Sequence, residues 1–470
     1  MVLQSSGLSK VKDSLTQKIF LGNEPNAELI AILTVYFVQG ILGLSRLAVS
    51  FFLKDELLLS PVQVSALFGI VLLPWMIKPV FGFISDGLPI FGYRRRPYLI
   101  LSGILGTASW VSLATIVHTT WAATLAIALS SLSVAMSDVI VDSLVVERAR
   151  GESQAKAGSL QSVCWGASAI GGLITAYFSG LLLQYFTTRT VFAITALFPL
   201  IVSGVAWLIA ESPVSKDSQG NDHTNSLPIK HQLGQLRQAI TQKTIWLPTA
   251  FIFVWQATPS ADSAFFYFST NELHFEPEFL GRVHLVTSFA SLAGVWIFQR
   301  FLKSIPFRVI FAWSTVLSSI LGMTMLLLVT HTNRRLGIDD HWFSLGDSVV
   351  LSVMGQIAFM QVMVLAARLC PSGVEATLFA LLMSVFNSAG TVSRAFGALI
   401  TYWLGITATN FESLWLLVLI TNLSTLLPLP FINWLPAEDQ TETPKDKEKP
   451  FLPDLMSELI LRESESEIVE

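Results

Sequence analysis

Residues 61–97 read PVQVSALFGIVLLPWMIKPVFGFISDGLPIFGYRRRP. From 61 to 83 the only charge is Lys78, whereas the following turn carries Asp86, Gly87 and Gly92 and ends in three consecutive arginines, Arg94, Arg95 and Arg96. From Pro97 to Val117 there is again no charged side chain. An apolar run of about 20 residues crosses a hydrocarbon core of roughly 30 Å, and a helix satisfies its own backbone there. The stretch therefore reads as a membrane helix, a basic hairpin and a second membrane helix.

The same unit recurs in both directions. Apolar runs lie near 29–53, 61–83, 97–117, 121–146, 158–183, 190–210, 245–269, 279–300, 307–330, 346–369, 376–402 and 412–435, which makes twelve. The composition agrees: 52% hydrophobic and 13% charged, with a mean hydropathy of +0.60. Too few polar side chains remain to cover a water-exposed surface, so lipid is the expected solvent for most of the chain. The expected fold is an all-α membrane protein of twelve helices.

Basic residues set the expected orientation, because loops rich in Lys and Arg stay on the cytoplasmic side. With the N-terminus inside, the inner segments hold 21 of the 29 basic residues, and the outer loops hold only Lys54, Arg189, Arg334 and Arg335. Both termini are expected to be cytoplasmic. The formal charge of −4 arises in the tail: residues 436–470 carry 11 Asp/Glu against 4 Lys/Arg, so the remainder is net positive. An acidic substrate is thus compatible with the charge balance.

Residues 1–28 mix Lys with Asp and Glu and lack the apolar core and cleavage site of a signal peptide, and so read as a cytoplasmic lead. Residues 211–244 are the longest polar interruption before the tail and split the runs six and six, into halves 29–210 and 245–435. A repeat supports the split. Glu56-Leu57 followed by Pro61 recurs as Glu272-Leu273 followed by Pro277, and Arg46 and Asp262 each lie ten residues before their Glu. Residues 436–470 are expected to be a largely disordered cytoplasmic tail. The two cysteines sit far apart in apolar segments, and the seven histidines never fall at metal-ligand spacing. No disulfide framework and no metal or other cofactor is expected.

Gly82 and Asp86, placed after the second run and followed by the Arg cluster, resemble the loop signature of the major facilitator superfamily. The interval from Asp86 to the arginines is longer than usual there. A narrower resemblance rests on Gly92–Pro97, on the run Asp138-Val139-Ile140-Val141-Asp142-Ser143 continuing to Ser153, on Thr258-Pro259-Ser260-Ala261-Asp262-Ser263-Ala264, and on Gln39-Gly40 with Gly43-Leu44-Ser45-Arg46. Together these are similar to the folate–biopterin transporter family across residues 29–435. That resemblance implies a secondary carrier of folates or pterins built from two pseudo-symmetric six-helix halves. It also implies a monomer with a small-molecule substrate, protons as a candidate co-substrate, a lipid surround and no nucleic-acid partner. Membership in cyanobacteria and plastids, with no recognisable transit peptide here, points to a cyanobacterial inner membrane before a plastid envelope.

A charge inside a span costs at least about 2.5–3.5 kcal/mol, so it is tolerated where it meets water, a partner or a substrate. Arg46, Asp138, Asp142, Asp262 and Arg394 are the deep candidates, and the resemblance places the first four on helices that line the central cavity. Arg46 or Arg394 suits a substrate carboxylate, because guanidinium forms bidentate pairs. Asp262, with Gln39 and Gln256, suits the donor and acceptor edge of a pterin, and Phe265, Phe266 or Trp255 suits its face. Arg46 and Asp262 are also expected to pair when the site is empty. Asp138 and Asp142 are four apart and share a helix face, which makes them, with Asp262, candidates for proton coupling, unless salt bridges to Lys78 or an Arg occupy them. Lys78, Asp86, Arg94, Arg95, Arg96, Glu147 and Arg148 form the expected cytoplasmic gate.

Two other readings stand beside this one. Asp138-x-x-x-Asp142 resembles half of a magnesium-diphosphate site of a membrane prenyltransferase, but no second Asp-rich cluster faces it, and no enzyme is expected. A pigment-delivery or assembly factor with the same fold but no solute transport is the remaining alternative.

Overall fold

The computed structural model describes residues 20, 23–149, 154–213, 241–302, 305–368 and 375–436. The acidic tail after residue 436, nearly all of the linker and most of the lead lie outside the described residues, as does the side chain of Asp86. Among the described residues the chain is helical, apart from short turns and an isolated bridge between Ile90 and Tyr93 in the basic hairpin.

Among the described residues, ten helices are long and apolar enough to cross a membrane. These are α1 (Ala27–Glu56), α2 (Pro61–Ser85), α3 (Arg96–Thr115), α4 (Thr120–Val145), α5 (Val163–Tyr185), α6 (Thr188–Leu208), α8 (Pro277–Leu302), α9 (Arg308–Val329), α10 (Asp340–Met363) and α12 (Leu414–Trp434). The two other expected places are also helical: α7 (243–272), which is interrupted, and α11 (Glu375–Trp403). Local chemistry starts several of them. The Asn26 side chain accepts from the backbone N–H of Leu29 at the head of α1. Ser60 and Gln63 form a reciprocal capping box around Pro61 at the head of α2. Large apolar side chains such as Ile104, Leu125, Trp165, Leu197, Trp313 and Ile320 remain exposed on the outside of the bundle, where only lipid can cover them.

The repeat is visible in the backbone. A wide π-type turn ends α1 at Phe52–Glu56, and another ends α7 at Phe268–Glu272, at an offset of 216 residues. At the same offset, Leu58 and His274 take left-handed φ values of 53° and 54° before the next helix begins at Pro61 and Pro277. The bend of α1 at Leu42–Gly43 likewise corresponds to the interruption of α7 after Gln256.

Polar contacts sort the loops onto two faces. On the face away from the termini, Arg189 bonds Glu56 and the Val117 carbonyl, Asn271 bonds the Ala408 carbonyl, and His331 lies 3.7 Å from Glu272. We call this the distal face. On the terminal face, Arg148 bonds Asn26, and Arg308 bonds the Leu435 carbonyl.

The halves close on each other at the distal face. Lys54 Nζ donates to Asn271 Oδ1 at 2.9 Å, Gln184 Nε2 to Glu276 Oε2 at 3.4 Å, and the Tyr267 hydroxyl to the Leu59 carbonyl. Phe51 meets Phe266 edge to face at 5.3 Å between centroids. Below them α5 crosses α8 where Gly180 faces Gly281: a Cβ at Gly281 would stand 2.8 Å from the Gly180 Cα, and one at Gly180 would stand 2.3 Å from the Pro277 carbonyl oxygen. Small residues at such a crossing let two backbones touch. Gly281→Val is therefore expected to oppose distal closure by about 1–3 kcal/mol. A thiol placed by Ser269→Cys, at a position now buried, should react faster with a membrane-impermeant maleimide in the Gly281→Val background. Unchanged labelling would show that the crossing does not limit opening.

Candidate functional site

The interruption of α7 organises the site. The helix from Lys243 stops at Gln256, and a six-residue helix resumes at Asp262. Pro259 disfavours helix at Thr258 and supplies no N–H, so the turn cannot continue. Freed backbone groups inside a membrane need partners, and α11 provides them. Ser393 Oγ donates to the Thr258 carbonyl at 2.6 Å, and the Ser260 N–H donates to the Ser393 carbonyl at 3.3 Å. One turn further along, Gly397 admits the Ser260 carbonyl: a Cβ there would stand 1.8 Å from that oxygen. One turn earlier, Gln256 Nε2 and Arg394 Nη1 lie 3.7 and 3.6 Å from where a Gly390 Cβ would be. The broken segment thus holds Gln256 beside Arg394. Ser65 Oγ, donating to the Arg394 carbonyl at 3.1 Å, ties the same turn of α11 to α2.

Arg46 follows the bend of α1. Arg394, in the other half, and His284 of α8 lie within electrostatic range of Arg46. Arg46 and His284 both keep solvent-exposed surface although they stand well inside their spans. Among the described residues neither Arg46 nor Arg394 makes an ion pair, and Arg394 Nη1 donates only to the Gly390 carbonyl, at 3.2 Å.

Arg46 and Asp262 are not paired, contrary to expectation. Asp262 opens the short helix after the break, and its side chain is exposed. Gln39, also on α1, has a buried Nε2 without a partner. Phe265 is half-buried and packs on Phe268 at 6.0 Å; Phe266 is taken up by Phe51, and Trp255 packs on Phe311. These rings already have aromatic partners.

Nearer the terminal face, the two α4 carboxylates part company. Lys78 forms an ion pair with Asp138 and sits 4.6 Å over the Trp75 ring, whereas Asp142 accepts from the Tyr36 hydroxyl. At the face itself, Arg95 Nη2 donates to Glu147 at 2.6 Å and Nη1 to Ser85 Oγ at 3.0 Å. Glu211 accepts from the backbone N–H groups of Arg94, Arg95 and Arg96, capping the start of α3, and the Arg96 side chain bonds the Ile209 carbonyl. Arg148 Nη1 donates to Asn26 Oδ1 at 2.7 Å. A crevice of about 220 Å³ opens between these groups. Of the residues expected to form the cytoplasmic gate, Arg95 and Glu147 are bonded to each other, while Lys78, Arg94, Arg96 and Arg148 bond Asp138, Glu211, Ile209 and Asn26 respectively, none of which belongs to the second half.

A model of the BT1 family matches residues 39–451. A folate-biopterin transporter of Synechocystis is 62% identical over 93% of this chain and 88% of its own length. The chain belongs to the BT1 family. Folate transporter 2 of Plasmodium falciparum is 31% identical over 89% of the chain and 90% of its own. A probable folate-biopterin transporter 2 of Arabidopsis thaliana is likewise 31% identical, over 88% of the chain and 83% of its own. Among solved structures, the nucleoside transporter NupG superposes with a TM-score of 0.65 at 14% identity, covering 86% of this chain and 98% of its own. A D-xylose-proton symporter reaches 0.63 at 16%, covering 88% and 99%. The fold is that of the major facilitator transporters, and this BT1 chain is a membrane transporter rather than an enzyme.

Several site residues of this BT1 protein escape a reading of charges in spans. Tyr36 and His284 are not charged, and Glu211 lies just past a span. Asp347 stands one residue inside the tenth apolar run; in the structure it accepts from the Thr324 hydroxyl, while its second oxygen is buried without a partner. An apolar recess of about 640 Å³, lined by Tyr177, Phe279, Arg282, Val286, His341 and Trp342, lies on the flank near the α5–α8 crossing. None of the expected substrate residues lines it.

Proposed function

We propose that this chain carries folates or pterins across the membrane by alternating access, with protons as co-substrate. The observation that supports this most is that Arg46 and Arg394, one in each half, lie within electrostatic range of each other, with His284 in range of Arg46, and make no ion pair among the described residues. Like charges within electrostatic range of each other repel unless an anion joins them, and a folate carries carboxylates. The distal contacts lie above this cluster: Arg46 is ten residues from Glu56, about 15 Å along a helix. With that side closed, the exposed surface of Arg46, His284 and Asp262 is reached from the terminal face. The loop arginines make the terminal face cytoplasmic, which fits the inner membrane of a cyanobacterium. The two halves, 29–210 and 245–435, would rock about the site, with 211–244 as their tether.

In this scheme Arg46 and Arg394 take the anionic end of the ligand, Gln256 and Gln39 take neutral polar edges, and Asp262 accepts a pterin edge or a proton. Asp142, with Tyr36 as its hydrogen-bond donor, is the second proton candidate, because Asp138 is already neutralised by Lys78. The test is uptake of radiolabelled folate by the purified chain in vesicles, with and without an imposed pH gradient. Arg46→Ala and Asp262→Ala are each expected to lower uptake about 100-fold, the effect of losing about 3 kcal/mol. Wild-type uptake by Arg46→Ala would remove the assignment, and no folate uptake by the wild-type chain would remove the function.

A further inference from the structure

We infer that Asp347, on α10, is a proton-carrying site of the second half, which holds a proton while the distal side is closed and exchanges it during the cycle. This rests on the reading of the chain as a proton-coupled carrier and adds a site to it, near the opposite face of the membrane from Asp142.

Asp347 lies seven residues into α10, and Thr324 lies five residues before the end of α9. At about 1.5 Å per residue both stand roughly 7–11 Å inside the distal ends of their spans. An ionised Asp at such a depth is costly unless a cation or several donors meet it. Asp347 meets neither. Among the described residues it makes no ion pair, the Thr324 hydroxyl is its hydrogen-bond partner, and its Oδ2 is buried without one. The packed elements bring no counter-charge to it. From Val309 to Val329 α9 has no titratable side chain, and α12 has none either. Arg282 of α8 pairs with Glu278, and Arg394 of α11 donates to the Gly390 carbonyl. His284 of α8 makes no bond to Asp347, and Arg300 and Arg368 stand near the far ends of α8 and α10. In the turn before α10, Arg334 pairs with Asp340, His341 with Asp339 and His331 with Glu272, while Arg335 is exposed.

The hydrogen count at Thr324 assigns the proton. Its Oγ contacts both the Asp347 carboxyl and the Leu321 carbonyl, in the turn where α9 is broken after Gly322. A hydroxyl has one proton, and both neighbours are acceptors when Asp347 is ionised, so one of the two contacts would lack a hydrogen. With a proton on Asp347 the chain closes: the carboxyl donates to Thr324 Oγ, and the Thr324 hydroxyl donates to the Leu321 carbonyl. Only a neutral carbonyl oxygen then stays unpartnered, which costs less than a stranded carboxylate. The broken turn is fixed from its other side by α12. Asn422 Nδ2 donates to the Gly322 carbonyl at 3.2 Å, Ser319 Oγ donates to the Asn422 carbonyl at 2.7 Å, and a Cβ at Gly322 would stand 1.8 Å from Asn422 Oδ1. These contacts present Thr324 to α10. Because Asp347 is near the distal end of its helix and Asp142 near the terminal end of α4, a proton reaches Asp347 when the halves part distally. Closure then leaves it on a carboxyl with no charged neighbour to take it.

Dicyclohexylcarbodiimide reacts with protonated carboxyls in apolar surroundings. The full chain, reconstituted in vesicles at neutral pH, treated with it and digested for mass spectrometry, should carry the adduct on Asp347 and none on Asp138, which pairs with Lys78. Adducts on other acidic residues with Asp347 untouched would overturn the inference. Asp347→Asn keeps the shape of the neutral carboxyl but cannot release a proton. It should exchange radiolabelled folate for unlabelled folate across the membrane within about twofold of the wild type when no gradient is imposed. It should also lose the acceleration that an imposed pH gradient gives the wild type. An undiminished gradient response in Asp347→Asn would sink the inference and leave proton-coupled transport intact. Wild-type folate uptake that ignores the pH gradient would overturn both the inference and the proton part of the carrier reading. Should Asp347→Asn fail to fold, the carbodiimide adduct on the wild-type chain decides the matter.

Discussion

Gly397→Ala is expected to abolish transport. The added methyl would lie 1.8 Å from the Ser260 carbonyl oxygen and 2.9 Å from its carbon, and both atoms are backbone, so no rotamer change relieves the overlap. Either α11 retreats or the α7 break is pushed out. In both cases Ser393 loses its bonds to Thr258 and Ser260, and Gln256 no longer stands beside Arg394. Overpacking of this kind costs about 1–3 kcal/mol even where neighbours can yield, and these neighbours are fixed. Uptake should fall to background, with a lower melting temperature in detergent. Ser393→Ala, which removes one side-chain bond and adds no volume, should cost only about 0.5–1.5 kcal/mol and leave measurable transport. Equal uptake by Gly397→Ala and the wild type would show that the break does not dock on α11 during the cycle.

The second large effect is expected from Lys78→Met. Asp138 would keep its carboxylate inside the bundle with its cation gone, and breaking one side of a buried pair costs about 3–5 kcal/mol. Replacing both partners, as in Lys78→Met with Asp138→Leu, removes the stranded charge and should restore most of the melting temperature. That double variant also separates two roles. If the pair is purely structural, the stable double variant transports with an unchanged response to a pH gradient; if Asp138 handles protons, the response disappears while stability returns.

The architecture is legible in the sequence because its cause is local. Each apolar run of sufficient length must be a helix in lipid, whatever surrounds it. The internal repeat was readable for a similar reason. Glu56-Leu57 and Glu272-Leu273 sit where the chain leaves the membrane, and the structure gives both the same wide turn and the same left-handed residue. The interruption of α7 is partly encoded by Pro259, but its docking on α11 needs Ser393 and Gly397, which lie more than a hundred residues away.

Pairing was much less legible, because it depends on how each helix is rotated about its own axis. Arg46 and Asp262 occupy equivalent repeat positions, yet equal depth does not make them face each other. The bend at Leu42–Gly43 and the fuller break before Asp262 differ between the two repeats, and no ion pair joins Arg46 to Asp262 among the described residues. The Lys78–Asp138 pair was legible as an alternative to proton coupling, since both ends carry charge. Its neighbour Asp142 is held by a phenol, which no charge pattern announces. Glu211 was missed because it follows the last apolar residue of a span, where an acidic side chain looks like ordinary linker.

The Gly180–Gly281 crossing bears on how the closed side opens. Two surfaces without side chains have no interlocking teeth: they can part without any rotamer having to change and without exposing a charge from that crossing. At the crossing itself the attraction is dispersion between smooth backbones, which is short-ranged and indifferent to voltage or ionic strength, and the Gln184–Glu276 hydrogen bond one turn away is the polar contact of the same seam. Friction in the cycle is thereby shifted away from the glycine crossing to the polar contacts around it, leaving the ligand and the charges it neutralises to decide which way the halves move.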